Sequence, residues 1–133
     1  MNNREMKAKV FKMANRMAGR MGRRAAFVKA WEMVRAGSCE VSLKGVTFGT
    51  RQEALKRLAR YSPEMVRAFI VPEPENKFNV KAAAVWVGIQ NGFGLYCLGY
   101  LPAEYAPAAA GFKAAGLRVL DGDIRGARLA LAV

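Results

Sequence analysis

Residues 73–102 read EPENKFNVKAAAVWVGIQNGFGLYCLGYLP, and this stretch governs the reading of the whole chain. A polar, basic and aromatic loop holding Asn76, Lys77, Phe78, Asn79 and Lys81 leads into an apolar run over residues 82–87. A second run, residues 95–100, follows Asn91-Gly92, a dipeptide favoured in hairpin turns. The two runs predict paired strands, and Gly99-Tyr100-Leu101-Pro102 ends the second. The loop sets a ring, amides and cations side by side, a mixture that suits a nucleotide better than a hydrophobic core.

Upstream, Val41, Leu43 and Gly45 alternate with Ser42 and Lys44, which predicts a strand running into Val46-Thr47-Phe48. Thr50, with Glu53 three residues later, has capping-box spacing. It starts a helix to about Tyr61 with Leu55 and Leu58 inward and Arg51, Lys56, Arg57 and Arg60 outward. Ser62-Pro63 breaks that helix, residues 65–71 form another strand, and Pro72-Glu73-Pro74 is a linker. Downstream, Pro102 opens a short helix ending near Gly116. Residues 117–120 and 124–133 then make a closing hairpin around Asp121-Gly122-Asp123.

At the N-terminus, Met6, Val10, Met13, Met17 and Met21 recur at helical spacing, predicting a helix over residues 4–21. A second helix over residues 23–36 would bury Phe27, Ala30, Trp31 and Val34 and stop at Gly37. The element order α, α, β, α, β, β, β, α, β, β predicts an α+β fold. It is a small, partly open β-barrel over residues 38–133, with accessory helices and an N-terminal helical hairpin over residues 1–37.

The chain has 133 residues, 53% of them hydrophobic, and carries a net charge of +12. Ten basic residues face two acidic ones over residues 1–36, against twelve and eight in the remainder. A polyanion is the natural partner, because neutralised phosphates release counterions. Charge alone does not separate nucleic acid from an anionic membrane surface. No run reaches the length of a membrane helix, so no integral membrane insertion is expected. An Arg-rich, acid-poor amphipathic N-terminus also resembles an organelle-targeting peptide, but the well-made second helix assigns it to the fold. With no export signal and with Cys39 and Cys97 far apart, reduced thiols and a cytoplasmic setting are expected.

Histidine is absent, which removes His-containing zinc sites, Ser-His-Asp triads and Cys-His dyads together. Glu75-Asn76-Lys77 matches half of a metal-dependent nuclease site, but no aspartate precedes Asp121 to hold the metal. The expectation is a non-enzymatic protein with no cofactor. Phe48, Phe78 and Tyr100 are the candidate stacking rings, and Arg51, Lys77 and Lys81 are cations near them in sequence.

These pieces make residues 39–133 resemble a HIRAN domain, a module of helicase-like DNA-repair proteins and of small stand-alone bacterial or phage proteins. The resemblance rests on Gly45-Val46-Thr47-Phe48, on Glu73-Pro74-Glu75-Asn76-Lys77-Phe78-Asn79, on residues 82–87, and on Leu98-Gly99-Tyr100-Leu101-Pro102, in that order. It implies an OB-like barrel that binds single-stranded DNA or a DNA end, with capture of a 3′ end in the best understood members. It also implies that Phe48 and Phe78 stack on bases while Asn79 and Tyr100 contact the terminal nucleotide. The family commonly has aspartate at the position of Asn79 and asparagine at that of Lys81. An amide accepts a hydroxyl hydrogen bond without charge assistance, and a lysine adds a phosphate contact. The candidate DNA-binding set is therefore Phe48, Arg51, Asn76, Lys77, Phe78, Asn79, Lys81 and Tyr100. The alternative is an adaptor or oligomerisation module that uses the Met-lined N-terminal helices, residues 1–36, to bind a protein partner or a second copy.

Overall fold

The computed structural model of the chain describes residues 2–92 and 94–133. Helix α1 (Asn3–Met21) starts where the Asn2 side chain accepts the Glu5 amide at 2.9 Å, and Gly22 ends it. Helix α2 (Arg23–Ala36) ends at Gly37, whose left-handed conformation (φ 79°) lets its amide reach the Met33 carbonyl. Val10, Met13, Ala14 and Met17 of α1 are buried, as their spacing predicts. In α2 the buried line is Ala26, Ala30, Met33 and Val34 rather than the predicted line through Phe27 and Trp31, which are only half-buried. Ala26 and Ala30 let the two helices approach closely, so the larger rings stand at the edge of the seam.

Two three-stranded antiparallel sheets make the rest of this α+β fold. One has the order β1 (Ser38–Ser42), β6 (Gly126–Ala132), β5 (Lys113–Leu120). The other has β2 (Val66–Pro72), β3 (Ala83–Ile89), β4 (Tyr96–Tyr100). The central strands are the apolar ones. Ala127, Leu129 and Leu131 of β6, and Ala83, Ala84, Val85 and Val87 of β3, are buried. The sheets meet at one seam through a bridge between Lys44 and Tyr100, with Lys44 N–H donating to Tyr100 O at 2.8 Å. Gly99 allows this approach, since a Cβ there would lie 2.6 Å from the Lys44 carbonyl oxygen. At the other seam β2 and β5 line a cleft of about 590 Å³, and among the described residues no ladder joins them. The two sheets therefore do not close into a barrel.

The core is continuous. Val10, Met13 and Met17 join Leu55, Leu98, Leu117 and Leu129 in one hydrophobic cluster, so the helical hairpin is packed into the sheets. Among the described residues no helix is long and apolar enough to cross a membrane.

Several local expectations need correcting. The strand expected to run through Gly45 to Phe48 ends at Ser42, and Gly45 (φ 73°) turns the chain instead. Helix α3 (Arg51–Leu58) has Thr50 as its first flanking residue, but no capping box forms. The Thr50 hydroxyl meets the Tyr96 hydroxyl instead. The helix expected from Pro102 to Gly116 is only a 3-10 turn, Ala106–Gly111. Phe112 is buried in extended conformation there and carries the chain straight into β5. Trp86 stands half-buried on β3 opposite Phe69 of β2.

Candidate nucleic-acid interface

The site grows from the turn after β1. Phe48 N–H donates to Gly45 O and Arg51 N–H to Phe48 O, so two tight turns present Phe48 outward, 72% exposed. Arg51 then folds back, against the expectation that it points away. Its Nη1 donates to Gly45 O at 2.7 Å and its Nη2 to Cys97 Sγ at 3.8 Å. A side chain on Gly45 would crowd this arrangement, because a Cβ there lies 3.1 Å from Arg51 Nη1. The Arg51 guanidinium sits 5.2 Å from the Phe48 ring centre and 5.6 Å from that of Tyr100, within cation–π range of both. No carboxylate pairs with Arg51 among the described residues, so its charge is available to an anion.

Tyr100 connects this cluster to the loop at residues 73–82. Its hydroxyl donates to Glu73 Oε1 at 2.9 Å, and Asn76 Nδ2 donates to the same oxygen at 3.0 Å. The hydrogen bond to Glu73, then burial, raise the Tyr100 phenol above the ordinary tyrosine value of 10.0. Burial likewise pushes the Cys97 thiol up, against the opposing effect of Arg51, so it stays a thiol at neutral pH.

The loop is held by its own side chains. Asn76 Oδ1 accepts the amides of Phe78 (2.9 Å) and Asn79 (3.1 Å), and Asn79 Oδ1 accepts that of Lys81 (2.9 Å). These are Asx turns, in which a short side chain stands in for a backbone carbonyl. Glu73 N–H closes the loop on Ala82 O at 2.8 Å. The result is a hydrogen-bonded loop with an unsupported tip, where Phe78 is 99% exposed and so packs on almost nothing. Lys77 and Lys81 flank it, both exposed.

Of the eight candidate residues, Phe48, Arg51, Tyr100 and Asn76 fall into one chain of contacts, with Glu73 as the link. Phe78, Lys77, Asn79 and Lys81 sit on the braced loop beside them, and Phe78 is not stacked on the other rings. Asn76 and the Asn79 carbonyl are occupied in holding the loop. Sequence reasoning missed Glu73 and Cys97 as partners of Tyr100 and Arg51, and Gln52 as a clamp. Gln52 Nε2 donates to Val46 O and Arg125 O, and its Oε1 accepts the Arg125 amide at 2.8 Å.

Comparison with protein-family models, with curated proteins and with solved structures finds no match to this chain.

Proposed function

We propose that the protein is a non-enzymatic, HIRAN-like DNA-binding module that holds single-stranded DNA or a DNA end against the Phe48–Arg51–Tyr100 cluster and the loop at residues 76–81. The observation that carries this reading is Phe78. An apolar ring left wholly in water, on a loop braced from beneath, does nothing for the fold and gains about 1–3 kcal/mol by stacking on a base. Lys77 and Lys81 supply cations beside it and Arg51 another between Phe48 and Tyr100, and the chain's net charge of +12 suits a polyanion. The Asn79 carbonyl is committed to the Lys81 amide, which favours general strand binding over selective readout of a terminal hydroxyl.

A titration of single-stranded, blunt duplex and 3′-blocked single-stranded DNA at two salt concentrations tests this reading. Tighter binding of both single strands than of the duplex is expected, with affinity falling steeply as salt rises. Binding that does not weaken on Phe78→Ala or Phe48→Ala would sink the assignment of the site.

A second reading has one observation in its favour. On the helical hairpin Phe11, 56% exposed, packs tilted against Phe27 with ring centres 5.5 Å apart, and Phe27 meets Trp31 edge-on at 6.5 Å. This stripe, and not the methionine line, whose Met13 and Met17 are buried in the core, suits an adaptor or self-association role. Light scattering of wild type and Phe11→Ser separates the readings: an assembly lost in the variant, with no DNA affinity in either protein, favours the adaptor.

A further inference from the structure

The outer faces of the two sheets are unlike. On the β1–β6–β5 sheet Arg118 and Arg128 stand directly opposite each other and both pair with Glu40, the polar covering expected of a sheet face turned to water. On the β2–β3–β4 sheet the core takes Val66, Ala68 and Ile70 of β2, and Ala83, Val85 and Val87 of β3. Phe69, Val71, Ala84 and Trp86 alternate with these, lie outside the core cluster and so belong to the opposite face. Phe69 and Val71 are 44% and 40% exposed, so this face meets water through apolar groups.

Register joins the face to the Phe48–Arg51–Tyr100 cluster. Tyr100 stands opposite Ala84 and its hydroxyl reaches Glu73, just beyond the end of β2. Its side chain therefore crosses the sheet over Ala84, which accounts for the complete burial of that alanine outside the core. Trp86 lies opposite Phe69 on one side and Cys97 on the other, and diagonal to Tyr100, within reach of an aromatic side chain. Arg51 closes that row, with Nη2 on Cys97 Sγ. Across three strands spaced about 4.8 Å the row spans about 10 Å, room for about two stacked bases. Among the described residues no ring pair ties Trp86 to Phe69 or to Tyr100, unlike the paired rings of the helical hairpin.

Charge selects the occupant. Arg51 stands at one end of the row, and Arg67 lies on the same face of β2 as Phe69. Neither is in an ion pair among the described residues. Rings flanked by available cations fit a single nucleic-acid strand, whose unpaired bases take the rings and whose phosphates take the guanidinium groups. A second copy of the chain would instead set +12 against +12.

We propose that this sheet face is a stacking platform, on which a single strand held at the Phe48–Arg51–Tyr100 cluster lays its next bases on Trp86 and then Phe69. The inference rests on the single-strand reading above and extends it.

The chain has two tryptophans, so Trp31→Phe leaves Trp86 as the sole tryptophan emitter. Titrating this variant with labelled thymidylate oligomers of about two to about eight nucleotides, read by Trp86 emission and by anisotropy, tests the platform. Longer oligomers should bind more tightly than the shortest, quench Trp86 and shield it from acrylamide. Phe69→Ala should lose the gain with length, binding the longest oligomer about tenfold more weakly while holding the shortest as its parent does. Ile124, 68% exposed between β5 and β6, belongs to the other sheet, so Ile124→Ala controls for loss of an exposed apolar side chain and should keep the gain. Should Trp31→Phe fail to fold, the length series in wild type, Phe69→Ala and Ile124→Ala decides; should Phe69→Ala fail, the shielding of Trp86 decides. Trp86 emission and access unmoved by any bound oligomer, an equal loss at every length in Phe69→Ala, or an equal loss in Ile124→Ala overturns the platform and leaves the cluster reading standing. An assembly in light scattering that Phe69→Ala dissolves, with Trp86 shielded before DNA is added, gives the face to a second copy and also overturns the platform. Absence of binding at any length, or binding indifferent to Phe78→Ala, removes both.

Discussion

Two surfaces of this molecule combine rings with cations, and they are built in opposite ways. On the helical hairpin, Phe11 packs tilted on Phe27, Phe27 meets Trp31 edge-on, and Arg35 lies 4.9 Å over the Trp31 ring, so each ring has another group against it. That surface follows from helical periodicity within 25 residues of chain. On the loop side, Phe78 touches almost nothing, while its loop is tied locally by Asn76 and Asn79 and the cluster next to it by polar contacts across the sequence. Tyr100 reaches back 27 residues to Glu73, and Arg51 forward 46 to Cys97. Rings that serve the fold lean on each other. A ring left clear above a braced scaffold is available to something else.

The largest expected effect comes from removing the scaffold. Gly99→Ala places a methyl 2.6 Å from the Lys44 carbonyl, a backbone group that cannot swing aside. A loss of about 1–3 kcal/mol is expected in denaturant unfolding, together with lost DNA affinity because Tyr100 is the next residue. Unchanged stability would show that the seam between the sheets is looser than the Lys44–Tyr100 bridge requires.

Next, the two surfaces should respond in crossed fashion. Trp31→Ala is expected to cost about 2 kcal/mol of stability in the same unfolding assay and to leave oligonucleotide affinity nearly unchanged. Phe78→Ala should do the reverse, weakening DNA binding about tenfold with stability within about 0.5 kcal/mol of wild type. A destabilised Phe78→Ala would break the contrast, because it would give that ring a structural task. Truncation is a poor substitute here, since Val10 and Met17 lie wholly in the shared core and deleting α1 would open it.

Much of this arrangement was legible in the sequence wherever local rules decide it. Gly22 and Gly37 end α1 and α2 where the expected boundaries fall, and Asn91-Gly92 marks the β3–β4 connection. The failures cluster where long-range partners override a local preference. Thr50 has the spacing of a helix cap, but the Tyr96 hydroxyl, 46 residues away, takes its side chain. Arg51 belongs to an outward row of cations until the Gly45 carbonyl and two rings draw it in. Alanine-rich residues 106–111 suggest a helix, yet Phe112 must enter the core and Lys113 must pair with β6. Phe78 lies between Lys77 and Asn79 in the sequence, a local signal that agrees with its exposure. Its bracing by Asn76 was not legible, since Asx turns depend on side-chain torsions that spacing does not reveal.

The smallest effect lies in the contact that joins the loop to the cluster. The Tyr100 phenol donates to Glu73, so its ionised form would set two negative charges together, and its titration is raised above 10.0. A proton held more tightly in the folded state stabilises that state as long as the unfolded tyrosine keeps its proton too, and the gain shrinks once the unfolded tyrosine ionises. The contribution is therefore complete below pH 10.0, and it disappears as pH rises through the elevated value in the fold. Unfolding measured across the alkaline range should show a small fall in wild-type stability beginning near that pH, absent from Tyr100→Phe. Phenolate absorbance should lose a late-titrating component in Tyr100→Phe, and Glu73→Gln should bring that component back toward 10.0. Coincident late titrations in wild type and Glu73→Gln would mean that the carboxylate does not hold the ring. At neutral pH the hydrogen bond is intact and leaves the face of the ring turned to Arg51, so oligonucleotide affinity should stay level with pH until the phenol begins to ionise. Phe78 has no such partner, and its contribution to binding should not follow that titration.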